Sequence, residues 1–445
     1  MNVLMVVHQF LPKHLAGTEL YTYHLARALL ARGHHVTLFF TEIRNDRPQY
    51  ELSRGELDGI PFYEAVHNRS FRSFRHLYCD PEMERLFERV LDETSADLVH
   101  IQHLYLHSLR YIDIARDRGL PVLYTLHEYM LMCLNSGLLL RPGLVLCHGP
   151  ETRACADCAA SVHPTLRPRR YGLVRETSVL LNALRRMFGR PQSIANAAAY
   201  IDAVRRWRSE TEAALEKVDL FVAPSRFIRQ RFIDERLVAP ERIVYSDHGF
   251  FVEPFRHLPR IQSSAVRVGY VGTISEYKGV HLIVDAFRKI TEPGIECRIY
   301  GDLAVFPEYG RRLLAAGIPP TVRYMGRLKN TDVATALADL DLLVVPSMWF
   351  ENSPLTIHEA FLAGLPVVTS DRGGMAELVE HGKSGLHFRL GDADDLRRQL
   401  LRVLHEPGLL DSMRKQLPVV KTIEQDAAGM EQRYGLLLEG RLPVS

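Results

Sequence analysis

The chain has 445 residues, 47% of them hydrophobic and 24% charged, with a formal net charge of +2. This is material for two or three ordinary globular domains, and so neutral a balance does not point to a nucleic-acid partner. No apolar run reaches the roughly 18–20 residues of a bilayer span. The opening M-N-V-L-M-V-V-H-Q-F also lacks the basic n-region of a signal peptide, so a cytoplasmic location is expected.

Asn2–Val7 reads as a buried strand. Thr18–Arg32 sets Leu20, Tyr21, His24, Leu25, Ala28 and Leu29 at helical spacing, and Gly33 stops it. His35–Thr41, Asp97–Gln102 and Pro121–Leu126 are further strand-type runs, and Val218–Ser225 resumes the pattern after an insertion. Unbroken apolar strands alternating with helices predict a parallel sheet covered on both faces. A second series starts at Ala265 with V-R-V-G-Y-V-G. It continues with a helix over Val280–Ile290 and strands at Glu296–Tyr300, Val322–Met325, Asp341–Pro346 and Pro366–Thr369. The fold class is therefore α/β. Its expected units are residues 1–250, carrying an insertion at about 130–215, then 263–425, and a helical tail at 426–445. Two doubly wound sheets leave a cleft lined by the carboxyl ends of their strands.

The insertion carries Cys133, Cys147, Cys155 and Cys158, closing in C-x-x-C. Four thiols suit tetrahedral structural Zn²⁺, with an iron–sulfur cluster or free thiols as alternatives. Between Arg167 and Arg208 basic residues outnumber acids, and Leu173, Thr177, Leu180, Leu181, Leu184 and Phe188 share one helical face. This is either an extra helix with a solvated basic face, or a peripheral contact with anionic lipid on the inner face of the membrane or with a lipid-pyrophosphate-linked acceptor.

Three stretches fall at strand-to-helix junctions of the second series. V-G-T-I-S-E-Y-K-G (Val271–Gly279) brings backbone amides and Lys278 toward an anion. In E-N-S-P-L-T-I-H-E (Glu351–Glu359), Ser353 is expected to cap a helix with Pro354 at its first position, seating an anion between two carboxylates. S-D-R-G-G-M (Ser370–Met375) adds a di-glycine. In the first series, L-A-G-T-E-L puts Gly17 at a helix start, and T-L-H-E puts His127 at a strand end.

Together these stretches resemble the fourth family of glycosyltransferases, whose signature is two glutamates separated by seven residues. The resemblance implies the GT-B fold, two Rossmann-like domains facing across a cleft. It also implies retaining transfer from a UDP- or GDP-sugar to a glycan or lipid-linked acceptor without a catalytic metal, in bacterial polysaccharide, glycolipid or O-antigen-type assembly. Carried over, Lys278 binds the donor diphosphate, Glu351 the transferred sugar and Glu359 the ribose. Gly17 closes on the phosphates, and His127 contacts the sugar. Gly272, Asn352, Ser353, Pro354 and Leu355 complete the donor site. Thr273 and Ile274 stand where many members carry an arginine, and Arg327 is the candidate replacement. The rival readings are a nucleotide-sugar epimerase on this fold and a non-catalytic, zinc-stabilised sugar-nucleotide-binding protein.

Overall fold

The computed structural model describes residues 1–163, 166, 192–259, 261 and 263–442. The basic helix expected over Leu173–Phe188 lies outside them, as do Arg167, Arg169, Arg170, Arg175, Arg185, Arg186 and Arg190.

Strands β1 (Asn2–Val7), β2 (His35–Glu42), β3 (Leu52–Leu57), β4 (Ile60–Val66), β5 (Leu98–Ile101) and β6 (Val122–Thr125) come first. A separate small hairpin, β7 (Leu140–Arg141) and β8 (Val145–Leu146), follows in the insertion. Then β9 (Leu220–Ala223) and β10 (Ile243–Tyr245) return to the first sheet. Its order is β10-β9-β6-β5-β1-β2-β4-β3. Every pairing in it is parallel except the β3–β4 hairpin, whose turn residues Asp58 and Gly59 have φ of 50° and 81°. The residues of β5, β6 and β9 are all buried, which is why they read as continuous apolar runs rather than alternating ones.

The second sheet contains β11 (Val266–Val271), β12 (Ile295–Tyr300), β13 (Val322–Gly326), β14 (Leu342–Val345), β15 (Val367–Ser370) and β16 (Gly385–Phe388). It is parallel throughout, in the order β13-β12-β11-β14-β15-β16. The chain reverses direction across this sheet between β11 and β14, and across the first sheet between β1 and β5. Such switch points open a crevice at the carboxyl ends of the strands. The residues that follow β1, β5, β11 and β14 are therefore the ones set to meet a ligand.

The final helix, Ile423–Leu438, begins with a Thr422–Gln425 capping box. Its Ile423, Ala427, Met430, Tyr434 and Leu437 join the core beneath β1 and β2, alongside Tyr21, Leu25 and Leu29. The chain thus ends packed on the domain in which it began. The helix starts three residues before the expected tail boundary.

Candidate active site

The segment after β14 positions one carboxylate. Ser347 Oγ, Trp349 Nε1 and Lys278 Nζ donate to Glu351 Oε1 at 2.6, 2.9 and 2.5 Å. Glu351 is only 6% exposed, so these donors fix its rotamer and leave Oε2 without a protein donor among the described residues. Lys278 arrives on the turn Glu276–Lys278, tied to this segment by the Met348 amide donating to Tyr277 O at 2.8 Å. The next residue must be glycine. Gly279 has φ of 73°, and a Cβ there would fall 2.0 Å from Pro346 O.

The helix after Glu351 starts differently from expectation. It spans Leu355–Leu362, with Pro354 as an extended N-cap and no side-chain cap. Ser353 Oγ instead donates to Asp247 Oδ1 at 2.9 Å, while Asp247 Oδ2 lies 2.8 Å from His358 Nε2. Burial alone would raise the Asp247 carboxyl, but the His358 ring, His248 and the Ser353 hydroxyl hold it down at about 2. An ionised carboxylate is a stronger acceptor for the serine than a neutral one, so the hydroxyl serves the inter-domain segment rather than its own helix. Half-buried Glu359 lies in the second turn of that helix, and desolvation pushes its carboxyl up to about 7.

The di-glycine acts by close packing. Gly374 N donates to Glu351 O at 2.8 Å, and a Cβ on Gly374 would lie 1.4 Å from Asn352 O. The helix Gly373–Leu378 can therefore press on the backbone that carries Glu351.

Asn352 was expected among the donor contacts, yet both ends of its amide reach the first domain. Nδ2 donates to Leu126 O at 2.8 Å, and Oδ1 accepts from Ser225 Oγ at 2.6 Å. Leu355 also faces that domain, its Cγ 3.4 Å from where a Cβ on Gly17 would stand. The next residue after Leu126 is His127. His127 Nε2 lies 2.7 Å from Gln102 Oε1, and its ring stacks on His248 at 4.9 Å and 17°. An amide oxygen only accepts, so Nε2 carries the proton and Nδ1 keeps its lone pair. Burial, then the His248 and His103 rings, hold the imidazole well below its usual pKa and hence neutral.

Two further pairs, not singled out in the sequence, line the same edge of the first sheet. His8 Nε2 lies 3.3 Å from Glu19 Oε1, and His103 Nε2 lies 3.5 Å from Glu128 Oε1. The two histidine rings are 4.2 Å apart, and desolvation pushes Glu128 up to about 8. The sequence signal was available: His8 and Gln102-His103 directly follow the apolar strands β1 and β5, at the switch point.

The remaining residues lie around this cluster. Gly272 follows β11, Thr273 is exposed with its carbonyl accepting from Tyr270 Oη at 2.7 Å, and Arg327 is exposed beyond β13. No ion pair joins Arg327 to the cluster among the described residues. The expected four-cysteine ligand set is not assembled. Cys147 Sγ faces Gly149 O at 3.2 Å, Cys133 Sγ lies 3.9 Å from Asn135 O, and all four thiols are free. Among the described residues no three His, Cys, Asp or Glu side chains are disposed to hold a metal ion. Burial raises the Cys133 and Cys155 thiols to about 12 and about 11.

Residues 15–250 match the family model described as Glycosyltransferase Family 4, and residues 255–418 match Glycosyl transferases group 1. The chain belongs to glycosyltransferase family 4. Among its relatives is the putative colanic acid biosynthesis glycosyltransferase WcaL of Salmonella typhimurium, 29% identical over 36% of this chain and 42% of WcaL. A glycogen synthase of Mycobacterium tuberculosis is 32% identical over 31% of this chain and 34% of that protein. These matches span well under half the length of either relative. Across the whole fold, this family 4 chain superposes on sucrose-phosphate synthase from Thermosynechococcus elongatus with a TM-score of 0.65 and 16% identity, covering 98% and 99% of the two chains. HepE of Anabaena, solved with UDP and glucose, gives 0.61 and 16%, covering 97% and 99%. At such identity the likeness establishes the two-domain GT-B fold and nothing finer. No helix among the described residues is long and apolar enough to cross a membrane.

Proposed function

We propose that this family 4 protein moves a sugar from a UDP- or GDP-linked donor to a hydroxyl of a glycan or lipid-linked acceptor, with retention, in the assembly of a bacterial polysaccharide, glycolipid or O-antigen-type glycan. The observation that carries the reading is the hydrogen bond from Asn352 Nδ2 to Leu126 O at 2.8 Å. It sets His127 of one domain and Glu351 of the other each one residue from the same inter-domain contact. Lys278 then supplies the positive charge for a departing diphosphate. Glu351 Oε2 and the His127 Nδ1 lone pair accept from sugar hydroxyls and orient the ring. Glu359, as a carboxylate, accepts from the ribose diol. The bond from the anomeric carbon to the diphosphate breaks, the acceptor oxygen bonds to that carbon on the same face, and its proton passes to the departing phosphate.

The test is a panel of nucleotide sugars screened by thermal shift. The stabilising donor is then incubated with glycan and lipid-linked acceptors while nucleoside diphosphate release and product anomer are followed. Acceptor-dependent release with a retained anomer supports the reading. Epimerised donor without acceptor, or binding with no release, replaces it with one of its rivals.

For the four cysteines we propose a structural Zn²⁺. Cys133, Cys147, Cys155 and Cys158 bring four thiols to one insertion. The donor set thus fits Zn²⁺ in kind and number. Closing it requires the Cys133 and Cys147 side chains to turn away from their carbonyls. One zinc per chain, lost together with thermal stability in Cys155→Ser, supports the proposal. Metal-free protein of unchanged Tm refutes it.

A further inference from the structure

A cavity of about 870 Å³ lies at the open edge of the first sheet. It is bounded by the helix Arg226–Asp234, the edge strand β10 and the final helix, and shares no residue with the donor cluster. Arg226, Arg229, Arg433 and Arg441 bring four guanidinium groups to it, and no Asp or Glu is among its lining residues.

Part of this charge has structural work. Arg229 Nε donates to Ile243 O at 2.9 Å and so covers a carbonyl of the edge strand. Arg441 pairs with Glu439. The other two have no such partner. The Arg226 guanidinium lies 4.2 Å over the Tyr245 ring, which holds its plane while leaving its N–H edge available. Arg433 Nη1 is buried without a hydrogen-bond partner. No carboxylate pairs with the Arg226, Arg229 or Arg433 side chains among the described residues. The neighbouring acid, Glu377, is already held by the Arg226 and Phe227 amides at 2.8 Å each.

Planar guanidinium forks match phosphate oxygens two at a time, and several around one cavity fit more than a single negative charge. Val244 and Leu436 add an apolar wall for the organic part of such a molecule. We propose that this cavity binds a diphosphate-bearing ligand, either a soluble diphosphate or the headgroup of an anionic lipid. The site touches β10 and the final helix, the elements that flank the passage between domains.

Binding of inorganic pyrophosphate to the full chain tests this, on a Lys278→Ala background that weakens the donor site. About one pyrophosphate per chain is expected to remain, with affinity falling as salt rises. Adding Arg226→Gln and Arg433→Gln should weaken it at least about ten-fold. If the Arg433 variant does not fold, Arg226→Gln with Arg441→Gln serves instead. Flotation with phosphatidylcholine vesicles carrying a lipid whose headgroup is a diphosphate, against phosphatidylcholine vesicles alone, assigns the source. Arginine-dependent flotation identifies a lipid headgroup, and its absence alongside arginine-dependent pyrophosphate binding identifies a soluble ligand. Loss of all pyrophosphate binding in Lys278→Ala, or binding indifferent to the arginine changes, overturns the proposal.

Discussion

Lys278 Nζ and Glu351 Oε1 stand 2.5 Å apart, so the groups assigned to the diphosphate and to the sugar form one electrostatic unit. Removing either changes the field at the other. Glu351→Gln should lower kcat about 100-fold while leaving the Kd for the bare nucleoside diphosphate within about three-fold. Lys278→Ala should weaken that Kd about ten-fold or more. The double variant should lose less than the product of the two effects, because the pair is already broken in each single variant. Strict additivity would separate the two roles.

Glu359 supplies a pH signature. Its carboxyl is raised to about 7 by burial, so the folded chain binds this proton more tightly than the unfolded one. Its contribution to stability is fully present below the ordinary carboxylate pKa and is lost as pH rises from there through about 7. The ribose contact proposed for Glu359 runs the other way, because the ionised form is the better acceptor. Nucleoside diphosphate affinity should therefore improve as pH rises through about 7. Glu359→Gln should flatten the part of the profile that the ligand's own titration does not explain.

Asn352 joins the domains through both ends of its amide. Asn352→Ala leaves Leu126 O without its donor and removes the acceptor of Ser225 Oγ, at a cost of about 2 kcal/mol. Chemical denaturation should show that loss, and transfer activity should fall with it because His127 and Glu351 lose their shared reference. An unchanged midpoint would mean that water replaces both bonds.

Two glycines give a paired test. Gly374→Ala drives a Cβ into the Asn352 carbonyl and should lower stability by about 2 kcal/mol or more, with turnover falling too. Gly435→Ala, in the final helix with nothing within 4 Å of its Cβ, should instead stabilise by up to about 1 kcal/mol.

Much of this was legible in the chain. The parallel strands announced themselves because burial on both faces leaves unbroken apolar runs such as L-L-V-V at β14, and the glutamate pair flanks its helix start as the spacing requires. The β3–β4 hairpin passed unread because Leu52–Leu57 contains Ser53, Arg54, Gly55 and Glu56 and is largely open to solvent, although its D-G turn was a signal. Ser353 had every local mark of a cap. What diverted it was Asp247, 106 positions away, and Asn352 was likewise claimed from 127 and 226 positions away. Local pattern cannot register partners at such separations, so roles at the domain junction were the least readable.

The return of the final helix to the first domain makes the second an interposed module, attached by an outgoing and an incoming segment. These two segments are zipped together: Phe250 N donates to Lys421 O at 2.9 Å, and Ile423 N donates to Phe250 O at 2.8 Å. Two separate tethers would permit twist and sideways slip. Fastened side by side, they form a single seam, so the domains are joined at this end by one paired crossing rather than by two independent strands of chain.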